Sequence, residues 1–290
     1  MWNTRSRCFK WRSRHAVQTT ILVMPLLGIC SGLHAETLPQ AIRLREIKDL
    51  DKLDPNWIMG MCNLPGLECN KVEVPRLFER KTETGREFYA VMVNRTLSRL
   101  AMKAPGEWQL LNRWSFEKYP LPPSEDGSEA RMLDIHPALY PAGSGLWAVA
   151  VLNRITESYS GGGAEFVIAD FVTLDPGVTD VGEDQRRYGN VPFSCSKTVR
   201  ACFSEREYKT SPHCHNESTG YLTLKFDINP ASHFHDWTAT WHETSWPAGI
   251  AKSAQTKKQQ TERLAPLKHD VGPRGFVPST FAFCAGGPAG

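Results

Sequence analysis

The chain has 290 residues, 41% of them hydrophobic and 22% charged, with 34 Lys and Arg against 31 Asp and Glu. Five of the basic residues and none of the acids lie in positions 1–35, so without that segment the count is 29 against 31 and the net charge moves from +3 to about −2. This balance removes the basic footprint that nucleic acid or an anionic membrane surface requires, and neither is expected as a partner.

The first 35 residues read as an export leader. Arg5, Arg7, Lys10, Arg12 and Arg14 form a basic start, Val17 to Ile29 is mostly apolar, and Leu33-His34-Ala35 ends in a small residue suited to cleavage. Gln18, Thr19 and Thr20 break the apolar run, which falls short of the roughly 20 residues a membrane span needs. The expected product is a periplasmic or secreted chain over 36–290, read as a single β-rich domain of about 255 residues with no membrane span. Lipidation at Cys30 is disfavoured because Ile29, just before it, is not small.

Pro39 to Leu53 carries apolar residues at 42, 44, 47, 50 and 53 with charges between, a pattern that predicts an amphipathic helix stopped by Asp54-Pro55. After it come short runs rich in β-branched and aromatic residues: Glu87–Val93, Trp108–Phe116, Leu146–Leu152, Ala164–Leu174, Gly220–Ile228 and Trp237–Glu243. Pro, Gly, Asn and Asp clusters separate them. The fold expected is mainly β, an antiparallel sandwich or meandering sheet, with one N-terminal helix. A further helical or mobile surface segment is expected at Ala251–Leu264, polar on nearly all sides. A weak echo between Phe88–Arg95 and Leu146–Arg154, each followed by a second aromatic strand, suggests two hairpins of one design, and Tyr221–Trp241 has the same outline. Spacings of 58 and 75 residues are too irregular for a repeat array.

Cys8 and Cys30 belong to the leader, and six cysteines remain: Cys62, Cys69, Cys195, Cys202, Cys214 and Cys284. An even count in an exported chain reads as disulfides. Cys62–Cys69 and Cys195–Cys202 share the spacing C-x6-C, which would leave Cys214 for Cys284. Zinc held by these thiols is disfavoured, because C-x6-C lacks the short spacing that presents two thiolates to one tetrahedral ion.

Three constellations can carry function. His213, His215, His233, His235 and Asp236, with His242-Glu243 nearby, place imidazoles and carboxylates within 31 residues. Alternate strand residues share a face, so a metal site built from this group is the alternative reading. Tyr159-Ser160-Gly161-Gly162-Gly163 lies between two strands; the strand that follows argues against a phosphate cradle, and the loop reads as a recognition loop led by Tyr159. Trp237, Trp241 and Trp246 form the third, and odd spacing puts Trp246 on the face opposite the other two.

Catalytic signatures are lacking. There is no G-x-S-x-G and no H-E-x-x-H, and nothing fixes Glu183-Asp184 or Glu205 and Glu207 at a hydrolytic separation. Asn94-Arg-Thr96 and Asn216-Glu-Ser218 match the N-glycosylation tripeptide. The function expected is that of an exported binding protein acting by protein–protein contact, for instance an inhibitor or immunity protein against an envelope-acting hydrolase. It needs no cofactor and uses Tyr159, Ser160, Gly161 and Trp237 as contact residues. A metal-dependent hydrolase using the histidine cluster and a structural envelope protein are the alternatives.

Overall fold

A computed structural model describes residues 38–48, 55–65, 67, 75–83, 85–120, 133–267 and 284. Two antiparallel sheets dominate it. The smaller contains β2 (Arg45–Glu46), β3 (Arg76–Thr82), β4 (Gly85–Val91), β5 (Thr96–Ala104) and β6 (Glu107–Ser115), in that order. The larger runs β1 (Ile42–Arg43), β7 (Ala138–Gly143), β8 (Leu146–Tyr159), β9 (Gly162–Thr173), β10 (Arg186–Arg200), β11 (His215–Asp227), β12 (Asp236–Trp246) and β13 (Thr256–Leu264). Among the described residues two short α-helices accompany them, α1 (Pro55–Cys62) and α2 (Glu205–Thr210). Apart from β1 beside β7, every neighbour in a sheet is also the neighbour in sequence, so both sheets are meanders. The mainly β expectation holds, and each of the six expected strand segments overlaps a strand over most of its length, four of them running one or two residues past its end.

One link between the sheets runs through Leu44, and a second is the bridge from Ser115 of β6 to Asp180. β1 pairs with β7 and β2 with β3, so Leu44 between them passes from one sheet to the other and is buried where they meet. There Phe78, Tyr89, Val91, Leu97 and Trp114 of the small sheet pack on Leu139, Val149, Val151 and Val172 of the large one. On β8 the odd residues Val149 and Val151 enter this core. The even residues Leu146, Ala148, Ala150 and Leu152 enter a second one. The uninterrupted apolar run of β8 is thus that of a strand buried on both faces.

The second core explains the shape of the larger sheet. Small residues Ala148, Ala150, Ala169 and Ala239 line its walls, and Tyr140, Phe171, Tyr188, Phe226 and Trp237 fill it. The sheet curls round them until the approach to β12 meets β7: Gly143 bridges Phe234, and His235 N–H donates to the Ala142 carbonyl at 2.9 Å. A Cβ on Gly143 would stand 2.4 Å from the His233 carbonyl oxygen, so only glycine permits this approach. On the far side of the small sheet, α1 packs Met61 and Trp57 against Leu77, Phe88 and Trp108. The Trp108 indole N–H donates to the Trp57 carbonyl at 2.7 Å.

Several expectations are corrected. The described part of the segment expected as a helix over 39–53 forms β1 and β2, because Leu44 N–H finds the Pro137 carbonyl just before β7 and Ile47 N–H the Leu77 carbonyl in β3. Tertiary pairing overrides the local pattern there. Ala251–Leu264 is a short 3-10 turn followed by β13 rather than a helix. Among the described residues β13 is the last strand of the sheet, and its Lys257, Lys258 and Arg263 are charges of the kind that discourage further pairing at a strand edge. The segment after Phe88–Arg95 that was expected to complete a hairpin is β6, which pairs with β5, while β4 lies between β3 and β5. The other two hairpins, β8–β9 and β11–β12, form as expected.

The disulfide pairing also differs. Cys195 bonds to Cys284 and Cys202 to Cys214. Cys195 sits inside β10, and the five extended residues after it carry the chain about 16 Å by Arg200, far beyond the roughly 6 Å between Cα atoms that a disulfide spans. Cys62 is disulfide-bonded as well, while Cys69 and the expected leader lie outside the described residues. Among the described residues no helix is long and apolar enough to cross a membrane.

On the small sheet one carboxylate is held by two cations. Glu87 accepts from Arg80 at 2.7 Å and from Arg99 at 2.5 Å. Burial acts to raise its pKa, but these hydrogen bonds and charges outweigh it and hold the carboxyl below its ordinary value of 4.5. A carboxyl with a depressed folded pKa contributes stability that is complete above the unfolded value and disappears as pH falls through the folded one. Glu87→Gln should therefore flatten the fall in thermal midpoint below about pH 4.5. Melting curves of both proteins between pH 2.5 and 6 check this, and parallel profiles would show that the group does not contribute.

Candidate functional site

One end of the larger sheet collects most of the residues singled out in the sequence. β8 and β9 are joined by Ser160-Gly161 in a tight two-residue turn, with Tyr159 paired to Gly162. The turn is fastened to the end of β10: Arg200 N–H donates to the Gly161 carbonyl at 2.6 Å, and a Cβ on Gly161 would stand 3.4 Å from the Arg200 Cβ. What reads in sequence as a loose glycine loop is a braced corner.

Beyond Arg200, Cys202–Cys214 closes a short loop that carries α2. Ser204 caps this helix. Its hydroxyl accepts from Glu207 N–H, and the Glu207 carboxylate accepts from the N–H groups of Phe203 and Ser204, both at 2.8 Å. Those backbone hydrogen bonds lower the Glu207 pKa. The cap and the disulfide together present Phe203, 73% exposed, and Tyr208, 51% exposed, to solvent. Tyr159 is 39% exposed. The Arg200 guanidinium lies 5.2 Å from the centroid of the Phe203 ring, so the same arginine contacts both the Tyr159 turn and the disulfide loop.

The chain returns in β11, where His215 pairs with Arg200 and Glu217 with Trp246. The His213 ring stacks on the Trp246 indole, 3.5 Å between centroids and 4° between planes. The Trp246 indole N–H donates to the Ile250 carbonyl at 3.0 Å. His213, His215 and Glu217 can each offer one ligand atom, all within 4.8 Å of one another.

The remaining candidates lie elsewhere. Trp237 is fully buried, so it is a core residue and not a contact residue; Trp241 is buried on the same face, and Trp246 is on the opposite one. His233, His235 and Asp236 are at the other end of the β11–β12 pair, where Asp236 pairs with Arg263 at 2.5 Å and accepts from Asn229. Ten residues of extended strand, about 30 Å, separate Glu217 from Asp227, which faces Asp236. The five metal-ligand candidates thus cannot converge on one ion. Between these ends lies a cavity of about 280 Å³ lined by His136, Tyr140, Phe193, Leu222, Leu224 and Phe226, among others. The Tyr140 hydroxyl and His136 Nδ1 are 2.7 Å apart there, and burial, with help from Arg43, lowers the His136 pKa.

Phe203 and Tyr208 do not stand out in the sequence, and Glu217 enters there only within the Asn216-Glu-Ser218 tripeptide. Glu217 had a signal, since His213, His215 and Glu217 alternate as residues on one face of a strand do. Phe203 and Tyr208 had none, because exposure is a property of the folded loop. Comparison with protein-family models, curated proteins and solved structures returns no match.

Proposed function

We propose that this chain is an exported binding protein that acts by protein–protein contact through the braced end of its larger sheet. Three exposed aromatic rings, Tyr159, Phe203 and Tyr208, carry the reading. Large aromatic side chains dominate binding energy at protein interfaces, and holding them rigid before binding lowers the entropy lost on association. The hairpin turn, the Cys202–Cys214 bridge and the capped α2 supply that rigidity. Disulfides and the leader expected over 1–35 support an extracytoplasmic setting, where a partner such as an envelope-acting hydrolase would be met.

The test uses mature protein immobilised and exposed to envelope and secreted extracts, with any retained protein then titrated calorimetrically. A one-to-one complex is expected. Tyr159→Ala and Phe203→Ala should each weaken it about tenfold or more with little change in melting temperature, since neither ring belongs to a buried core. Failure to form a complex, or full affinity in both variants, would overturn the assignment.

A further inference from the structure

We propose that His213, His215 and Glu217 form a binding site for a zinc-type divalent transition metal, with at least one coordination position open to solvent. The inference is independent of the protein-contact reading. His213 and His215 flank Cys214 and Glu217 follows two residues later, so the three side chains project to one side of the strand start. His213 Nε2 and Glu217 Oε1 already stand 3.7 Å apart. Two ligands on a tetrahedral zinc with bonds of about 2.0–2.1 Å stand roughly 3.4 Å apart, so small side-chain rotations complete the geometry.

A second, separate observation points to a ligand. His213 Nε2 is buried and has no hydrogen-bond partner. Buried polar nitrogens are nearly always satisfied. The ring is not free to turn away, because it lies flat on Trp246. Its backbone is held by the Cys202–Cys214 bridge and by hydrogen bonds to its carbonyl from Gly249 N–H at 2.8 Å and the Ser211 hydroxyl at 2.6 Å. An orphan nitrogen in a stacked ring, 3.7 Å from a carboxylate oxygen and in a ring neighbouring a second imidazole, is what a preformed metal site requires.

The donor set selects the ion. Two imidazoles and one carboxylate suit zinc, copper or nickel; calcium and magnesium demand more oxygen ligands than the three residues supply. Three protein ligands leave a tetrahedral ion one position for water or for a donor from another molecule. His215 and Glu217 are only partly buried, so that position opens outward.

The test takes the exported mature chain without an affinity histidine tag, stripped with chelator and dialysed, then titrated with zinc chloride by calorimetry and with cobalt chloride by visible absorption. The expected result is saturation at one ion per chain and the intense visible bands of four-coordinate cobalt. His215→Gln should weaken zinc binding at least about 100-fold, more than loss of an outer-shell partner does. The double change His233→Gln and His235→Gln should leave it unaltered. Glu217→Gln serves as the second variant if His215→Gln does not fold. No saturable uptake, or wild-type affinity in a folded His215→Gln or Glu217→Gln protein, would overturn the site.

Discussion

Replacing Cys195 and Cys284 together with alanine should lower the unfolding free energy by about 4.6 kcal/mol, whereas the same change at Cys202 and Cys214 should cost about 3. The difference follows from the length of chain each bridge closes: 89 residues in sequence separate the first pair and 12 the second. The long bridge also has packing of its own. Cys284 is fully buried and lies in a cluster with Phe166, Cys195 and Trp241. Guanidinium unfolding of the two double variants measures the ranking, and a thiol titration of the denatured proteins tests the connectivity itself. Each double variant should release no new thiol. Under the pairing suggested by the repeated C-x6-C spacing, each would strand two, one from each broken bridge.

That repeated spacing misleads for a physical reason. Sequence distance says nothing about whether the segment between two cysteines is folded back or extended, and the residues after Cys195 are extended. The same limit governs the other differences. Strands buried on both faces, such as β8, announce themselves as apolar runs, and the meander follows from short connections between them. β1, β2 and β13 do not, because what makes them strands is a partner: Leu44 and Ile47 follow the hydrogen bonds of β7 and β3, and the polar β13 follows β12. The candidate site was legible in halves. Tyr159-Ser160-Gly161 and His213/His215 stand out in sequence for their chemistry, yet they are 54 residues apart. Only the pairing of Arg200 with His215, and its hydrogen bond to Gly161, puts them at one end of the sheet. The histidines at 233 and 235 are nearer in sequence to His215 and farther in space, since a long antiparallel strand separates them.

Trp237→Ala should be among the most damaging single substitutions in the chain, costing about 3–5 kcal/mol by the behaviour of buried aromatic residues cut to alanine. The ring is fully buried, with Phe171 and Phe226 edge-on at 5.0 Å and Tyr188 at 4.7 Å, so little around it can collapse into the space. Its indole N–H also donates to the Pro141 carbonyl at 3.0 Å, which ties β12 to β7, strands that stand at nearly opposite ends of the sheet order. Trp237→Phe keeps most of the volume and removes that tie, leaving a buried carbonyl without its donor at a cost of about 1–3 kcal/mol. Denaturant unfolding separates the two effects, and hydrogen exchange locates the second. In Trp237→Phe the His235 N–H, bonded to the Ala142 carbonyl where the curl closes, should lose protection before the N–H groups of β8 and β9 do. Because the ring is enclosed in the core and stands apart from Tyr159 and Phe203, the phenylalanine variant should hold a partner at that end of the sheet with unchanged affinity. A loss of binding without loss of stability would instead return Trp237 to the contact surface and contradict its burial.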